Sequence, residues 1–290
     1  MLKKAVILAG GRGTRFLPYT KACAKEMMPV VDKPVLQYIV EECAAAGLTD
    51  ILIVGRPDKP EIKRHFSKDE NLLAFLEKNG KYDLEKTVSD ICGEAEITVI
   101  DQLDAGGSGA AVMLAKDFAG GEPFAILNGD DLYYSLSKRP AIGQVADCYL
   151  KFGRTSLGVL EVAREDVSKY CSLKLDGEKD GYFVCSDVVE KPAPEAAPSN
   201  VATLGRYVVD ENFFSYLERT PKSKNGEVFL TDAFGLQARE EKVYACPLNV
   251  VRYDTGDKLG YEKENVEFAL RNETIGKEFA AYLKEISKSI

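Results

Sequence analysis

Residues 8–34, LAGGRGTRFLPYTKACAKEMMPVVDKP, place three glycines, Arg12, Arg15, Lys21 and Lys25 directly after a short apolar strand. Gly10, Gly11 and Gly13 can adopt positive φ and let backbone N–H groups approach a ligand, forming a concavity suited to anions. Arg15 and Lys25 add the positive charge that a polyphosphate needs as its charge redistributes during reaction. Two familiar phosphate loops fail on spacing. No Gly-Lys-Ser/Thr occurs, Gly11-x-Gly13 continues to Phe16 instead of a third glycine, and Pro18 and Pro29 prevent an immediate helix. On these residues alone a solvated basic loop is the competing reading.

Carboxylates supply the complementary chemistry. Asp130 and Asp131 close the apolar run PFAILNG, and Asp254 follows NVVRY. A hard cation such as Mg²⁺ takes one or two carboxylates together with phosphate oxygens and water. A pair of aspartates at a strand end serves equally well as a cap or turn. In DQLDAGGSGAAV, Gln102 follows a strand and Gly107 opens a helix. A carboxamide donates and accepts at once, which suits the edge of a pyrimidine, while glycine leaves room for a ring. In isolation the same residues describe an exposed Gln beside a glycine turn.

The elements that must position these groups follow from apolar periodicity. KAVILA (4–9) and DILIVG (50–55) are continuous apolar runs, and EITVID (96–101) and PFAILNGDD (123–131) predict two more buried strands. KPVLQYIVEECAAAGL has helical spacing ending at Gly47, and an alanine-rich helix begins near Gly107. This alternation predicts an α/β fold, a doubly wound and mainly parallel Rossmann-like sheet, with ligands beyond the carboxyl ends of its strands. TSLGVLEV, CSLKLD and YFVCSDVVEK, around the turn signal DGEKDG, predict an antiparallel extension. Residues 10–33 form a connection much longer than the roughly 2–6 residues usual in such units, an excess that points to function. We expect a core over residues 1–256 in two parts, about 1–135 and about 136–256. A C-terminal helical segment, 257–290, belongs to the same domain.

Composition removes several classes. The 290 residues are 45% apolar, enough for a substantial core, and the net charge of −8 argues against nucleic-acid binding. The N-terminal apolar stretch is too short for a secretion signal, and no later run approaches a membrane span, so the sequence reads as cytoplasmic. Seven cysteines without a C-x-x-C pair predict free thiols, mostly buried. The lone His65 is expected on a helix surface and leaves little material for histidine-based catalysis.

The loop GGRGTRFLPYTKACAKEMMPVVDKP resembles the signature G-x-G-T-R-x-L-P-x-T-K-x-x-P-K-E-M-x-P of bacterial UTP-glucose-1-phosphate uridylyltransferases, or UDP-glucose pyrophosphorylases. NGDD, VVEKP, APSNVATLGRYVV, GEVFLTDA and VRYDTGDKLGYEKENVEFAL resemble further family blocks in the expected order, across almost the whole chain. The resemblance implies a nucleotide-diphospho-sugar transferase fold, UTP and glucose 1-phosphate as substrates, and Mg²⁺ as cofactor. It implies that Ala9, Gly10, Gly11, Gly13, Thr14, Gln102, Gly107 and Asp130 bind nucleotide, and that Arg15, Lys25 and Lys191 are catalytic. Asp131, Cys171, Glu190, Lys191 and Gly205 would bind the sugar phosphate, and Asp130 and Asp254 the metal. A homo-oligomer, dimer or tetramer, is implied too, with Phe268, Leu270, Phe279 and Leu283 as available apolar residues.

Three positions depart from the pattern. Ala24 replaces the proline before K-E-M, which would loosen the loop. Ala110 replaces a histidine, and Cys171 replaces a glycine where backbone approaches the sugar, so it would reshape that pocket. The alternatives are a transferase using dTTP, CTP or another sugar 1-phosphate, a non-catalytic regulatory paralogue, and an NAD-type oxidoreductase. The last lacks its glycine fingerprint.

Overall fold

In a computed structural model, which describes residues 2–104 and 106–289, the apolar runs become strands and their periodicity sets which side each residue faces. In chain order the strands are β1 (Lys4–Leu8), β2 (Pro29–Val30), β3 (Lys33–Pro34), β4 (Asp50–Gly55), β5 (Glu96–Asp101), β6 (Phe124–Asn128) and β7 (Asp131–Ser135). They continue as β8 (Ser156–Glu161), β9 (Cys171–Lys179), β10 (Tyr182–Glu190), β11 (Val201–Val209), β12 (Val243–Pro247) and β13 (Val250–Asp254). The helices are α1 (Val35–Ala45), α2 (Pro60–His65), α3 (Glu70–Lys78), α4 (Tyr82–Ser89), α5 (Gly107–Met113), α6 (Lys116–Ala119), α7 (Ala141–Phe152), α8 (Phe213–Arg219), α9 (Leu230–Glu240), α10 (Lys258–Arg271) and α11 (Gly276–Ile286).

Nine strands form one sheet in the order β5-β4-β1-β6-β11-β8-β12-β10-β9. The β5-β4-β1-β6 half is parallel. From β11 onward most pairings are antiparallel. Because side chains alternate along a strand, Ala5 and Ile7 enter a core covered by α1 and α7, while Val6 enters another covered by α5, α8 and α9. The far end of the sheet curls back until β9 also meets β11, where Cys171 lies opposite Thr203. The β9–β10 hairpin turns at Asp180 and Gly181, with φ of 54° and 83°, the left-handed pair a two-residue hairpin requires.

Several boundaries differ from the sequence reading. The strand expected over 123–131 ends at Asn128; Gly129 and Asp130 turn the chain, and Asp131 opens β7, which pairs with β13 in a separate ribbon. The long glycine loop is ordered by three single 3₁₀ turns and the small β2–β3 hairpin. The alanine-rich helix is split into α5 and α6. His65 is half-buried, accepting or donating a hydrogen bond with Gln37 at 3.0 Å, so the surface position expected for it is corrected. Burial lowers its pKa. Among the described residues the cysteines are free, five of them buried. Phe268 packs edge-on against Tyr38 and Tyr253 and so serves the core, unlike the more exposed Leu270. No described helix is long and apolar enough to cross a membrane.

Candidate active site

The glycine loop leaves the carboxyl end of β1 and closes over the turn that follows β6. Gly13 holds φ at 64°, which a side chain would strain, and its carbonyl accepts from the Thr20 hydroxyl at 2.7 Å. That fold-back carries the loop to the short turn Lys25–Met27, whose Lys25 ammonium forms an ion pair with Asp130. A Cβ on Gly11 would lie 2.9 Å from the same Lys25 nitrogen, so loop backbone and ammonium are in direct contact. Burial opposes charge on Asp130, but Lys25 outweighs it and holds the carboxyl below its usual range. Burial likewise works against the Lys25 ammonium, while Asp130 and Glu26 raise its pKa.

Beneath this pair lies a buried strut that sequence reasoning missed. Lys59 donates to both Glu26 oxygens, at 2.9 and 2.7 Å, and to the Ala9 carbonyl at 2.7 Å. It ties the end of β1 to the residue after Lys25. The Ala9 N–H is bonded to Val54, so both backbone groups of Ala9 are already engaged. Ala24 does not leave the loop loose: its N–H donates to Glu61, a contact that proline could not make, and the residue is buried.

Asp131 and Asp254 stand directly opposite each other across β7 and β13, where like charges repel. Arg252, two residues before Asp254 on the same strand face, bridges them, pairing with Asp131 and lying 3.7 Å from Asp254. Burial nevertheless pushes the Asp131 carboxyl up, and the neighbouring aspartates add to the rise. Arg206 braces the turn from below. Fully buried, it directs its N–H groups to the Glu42 carboxylate and to the carbonyls of Asn128, Asp131 and Gly205, engaging the whole guanidinium fork.

Asp130 and Asp254 converge on Gly256. A Cβ there would come within 2.9 Å of Asp254 Oδ1 and 3.6 Å of both Asp130 Oδ2 and Arg15 Nη1. This small cradle of two carboxylates fits a hard divalent cation that takes its other ligands from phosphate and water. Among the described residues no cluster of three or more His, Cys, Asp or Glu side chains could hold a metal by itself, so a cation here depends on those outside ligands. Arg15 Nη1 donates to the Gly256 carbonyl at 3.3 Å, which brings the loop's arginine to the same point.

Behind the cradle, Glu264 of α10 is fully buried; Thr255 donates to its Oε2 at 2.8 Å, and its Oε1 has no partner. Burial raises its pKa from 4.5 to about 8. A carboxyl raised in the folded state favours folding fully below about 4.5, and that contribution disappears as pH rises through 8. Glu264→Gln removes the titration. In thermal melts from pH 5 to 9 the variant should gain on wild type by roughly 5 °C toward the alkaline end. Parallel curves would show that Glu264 ionises normally.

Two cavities flank the Asp130 turn. One, of about 370 Å³, is lined by Gly10, Gly11, Arg12, Arg56, Gln102 and Gly107. Gln102 donates to the Gly107 carbonyl at 3.3 Å, and its Oε1 sits 3.2 Å from where a Gly10 Cβ would be. The other, of about 400 Å³, is lined by Asp131, Tyr170, Cys171, Glu190, Lys191, Gly205, Thr231, Arg252 and Asp254, among others. Gly205 has φ of 95° and faces Asn128 so closely that a Cβ would lie 2.5 Å from it. Both cavities share Gly107, Ser108, Asn128 and Glu227 as walls. Thr14 opens the first 3₁₀ turn and lines a third, neighbouring cavity with Arg12, Arg56 and Lys59.

The glycine loop, the carboxylate cradle and the two adjoining cavities lie beyond the carboxyl ends of the parallel strands, the place where doubly wound sheets take their ligands. The nucleotidyl transferase family model matches residues 4–269. A Bacillus subtilis (strain 168) protein named UTP-glucose-1-phosphate uridylyltransferase YngB is 43% identical over 287 residues, 99% of this chain and 96% of that one. Among solved structures, a UTP-bound UGPase from Acinetobacter baumannii has a TM-score of 0.91 at 32% identity, covering 98% of this chain and 99% of that one. A UDP-glucose pyrophosphorylase complexed with UDP-glucose has a TM-score of 0.84 at 34% identity, covering 94% and 100%. This chain belongs to the nucleotidyl transferases and, within them, to the UTP-glucose-1-phosphate uridylyltransferase family.

Proposed function

We propose that the chain joins UTP and glucose 1-phosphate to give UDP-glucose and pyrophosphate. A phosphate oxygen of the sugar phosphate attacks the α-phosphorus of UTP, and the bond from that phosphorus to the β-phosphate bridge breaks. The attacking oxygen is already ionised at neutral pH, so the reaction needs no general base, in keeping with a chain whose one histidine lines neither cavity. The observation that carries the reading is the meeting of Lys25, Arg15, Asp130 and Asp254 beside two joined cavities of suitable size.

In this reading Gln102 and Gly107 accept the uracil, while Gly10, Gly11 and Gly13 direct the triphosphate toward Lys25. Glu190 takes sugar hydroxyls and Lys191 the sugar phosphate. Asp130 and Asp254 would hold Mg²⁺, which when bound supplies charge neutralisation on the phosphates. Lys25 and Arg15 orient the α-phosphate and stabilise charge that moves toward the leaving pyrophosphate. Asp131, paired with Arg252, keeps the β7–β13 ribbon in register and faces the sugar from the cavity wall.

A matrix of UTP, dTTP, CTP and ATP against sugar 1-phosphates tests this. UTP with glucose 1-phosphate should give the highest kcat/KM, with some dTTP use because Gln102 and Gly107 do not read the ribose 2′-hydroxyl. Galactose 1-phosphate should be much slower, since a misplaced hydroxyl leaves buried polar groups unpaired. A higher kcat/KM with another pair would reassign the substrate. No reaction with any pair, alongside UDP-glucose binding, would make the chain a regulatory paralogue.

A further inference from the structure

The sugar cavity contains a contact that the reaction itself does not require. Cys171 lies opposite Glu190 across β9 and β10, a register that puts both side chains on one face. The Cys171 thiol donates to Glu190 Oε2, the Thr231 hydroxyl donates to the same oxygen at 2.6 Å, and Lys191 donates to Oε1 at 2.7 Å. A carboxylate offers about four lone-pair positions. Three are therefore taken from within the protein, one of them by a thiol, the weakest donor of the set.

We propose that Cys171 sets sugar recognition by filling, together with Thr231, the acceptor positions of Glu190 Oε2, so that once Lys191 turns to the phosphate the sugar meets Oε1 alone. This rests on the reading of Glu190 as a sugar ligand. Both partners are in the required protonation states. Burial and the nearby Glu190 charge push the Cys171 thiol well up, so it remains a donor at neutral pH. Burial alone would raise Glu190, yet the hydrogen bonds from Cys171, Lys191 and Thr231 hold its pKa below normal, so it remains an ionised acceptor. Lys191, with its side chain 59% exposed, can leave for a substrate phosphate; Cys171, buried between β10 and β11, has no other place to go.

Removing the thiol opens an acceptor position to the cavity, where a sugar hydroxyl is a better donor. Cys171→Ala should therefore lower the KM for glucose 1-phosphate about three- to tenfold, with the UTP KM unchanged. Cys171→Ser keeps a donor at nearly the same place and should stay close to wild type. A packing role predicts the opposite grouping, because serine and alanine both shrink the side chain. Monodeoxy analogues of glucose 1-phosphate provide a second readout. Wild type should lose most with one analogue, and Cys171→Ala should acquire a further, comparable loss with the analogue lacking an adjacent hydroxyl.

An unchanged or raised sugar KM in Cys171→Ala would overturn the proposal, as would Cys171→Ser following Cys171→Ala. The same holds if the pattern of deoxy losses does not alter. Wild-type turnover of UTP with glucose 1-phosphate is measured in the same series. If wild type is active and the variants behave alike, only the role of Cys171 fails; if wild type is inactive, the functional reading fails and takes this one with it.

Discussion

Lys25→Ala is expected to lower turnover at saturating UTP and glucose 1-phosphate by at least about a hundredfold. The ammonium lies against Gly11 and on Asp130, where loop, cradle and substrate phosphates meet in the proposed reaction. No other described cation touches both the glycine loop and the Asp130 carboxylate in this way. The substitution also leaves the partly buried Asp130 carboxylate without its main partner, which costs stability. Lys25→Ala combined with Asp130→Asn separates the two effects: the double variant should regain melting temperature but not turnover. Wild-type turnover in folded Lys25→Ala would remove Lys25 from the chemistry.

The second large effect concerns the cradle. Asp130→Asn and Asp254→Asn should each raise the Mg²⁺ concentration for half-maximal activity at least about tenfold and weaken Mn²⁺ binding measured by electron paramagnetic resonance. Both must act alike if they share one ion. Asp131→Asn provides the contrast, because its carboxylate is held by Arg252 and buried in the ribbon. Its loss should appear chiefly as a lower melting temperature. An Asp131 effect on metal binding as large as that of Asp254, or full activity of wild type in EDTA, would displace the assignment.

The parallel half of the sheet was legible because buried parallel strands are continuous apolar runs, as KAVIL and DILIVG are, whereas EITVID, at the sheet edge, is interrupted by polar residues and only partly buried. Glycine spacing and excess length singled the loop out, and the structure closes it over the turn that follows β6. The strand boundary at Asn128 was missed although Asn128-Gly129 is a turn signal, because what starts a second strand at Asp131 is its tertiary pairing with Asp254. The split of the α5–α6 region gave no local signal strong enough to predict. Arg252 could have been found: it stands two residues before Asp254, on the same face of one strand. Lys59 with Glu26 and Arg206 with Glu42 could not, because their partners are 33 and 164 residues apart and only the fold brings them together. The consequence of Ala24 was misjudged because an N–H gains meaning only when an acceptor, here Glu61, stands opposite it.

The central claim is attack of the sugar phosphate on the α-phosphorus of UTP. Glucose 1-phosphate carrying ¹⁸O at its non-bridging phosphate oxygens, incubated with UTP, Mg²⁺ and the purified chain, tests it in one measurement by mass spectrometry of both products. We predict UDP-glucose that retains every ¹⁸O atom and pyrophosphate that contains none. Label in pyrophosphate, or release of labelled orthophosphate without UDP-glucose, would contradict the account.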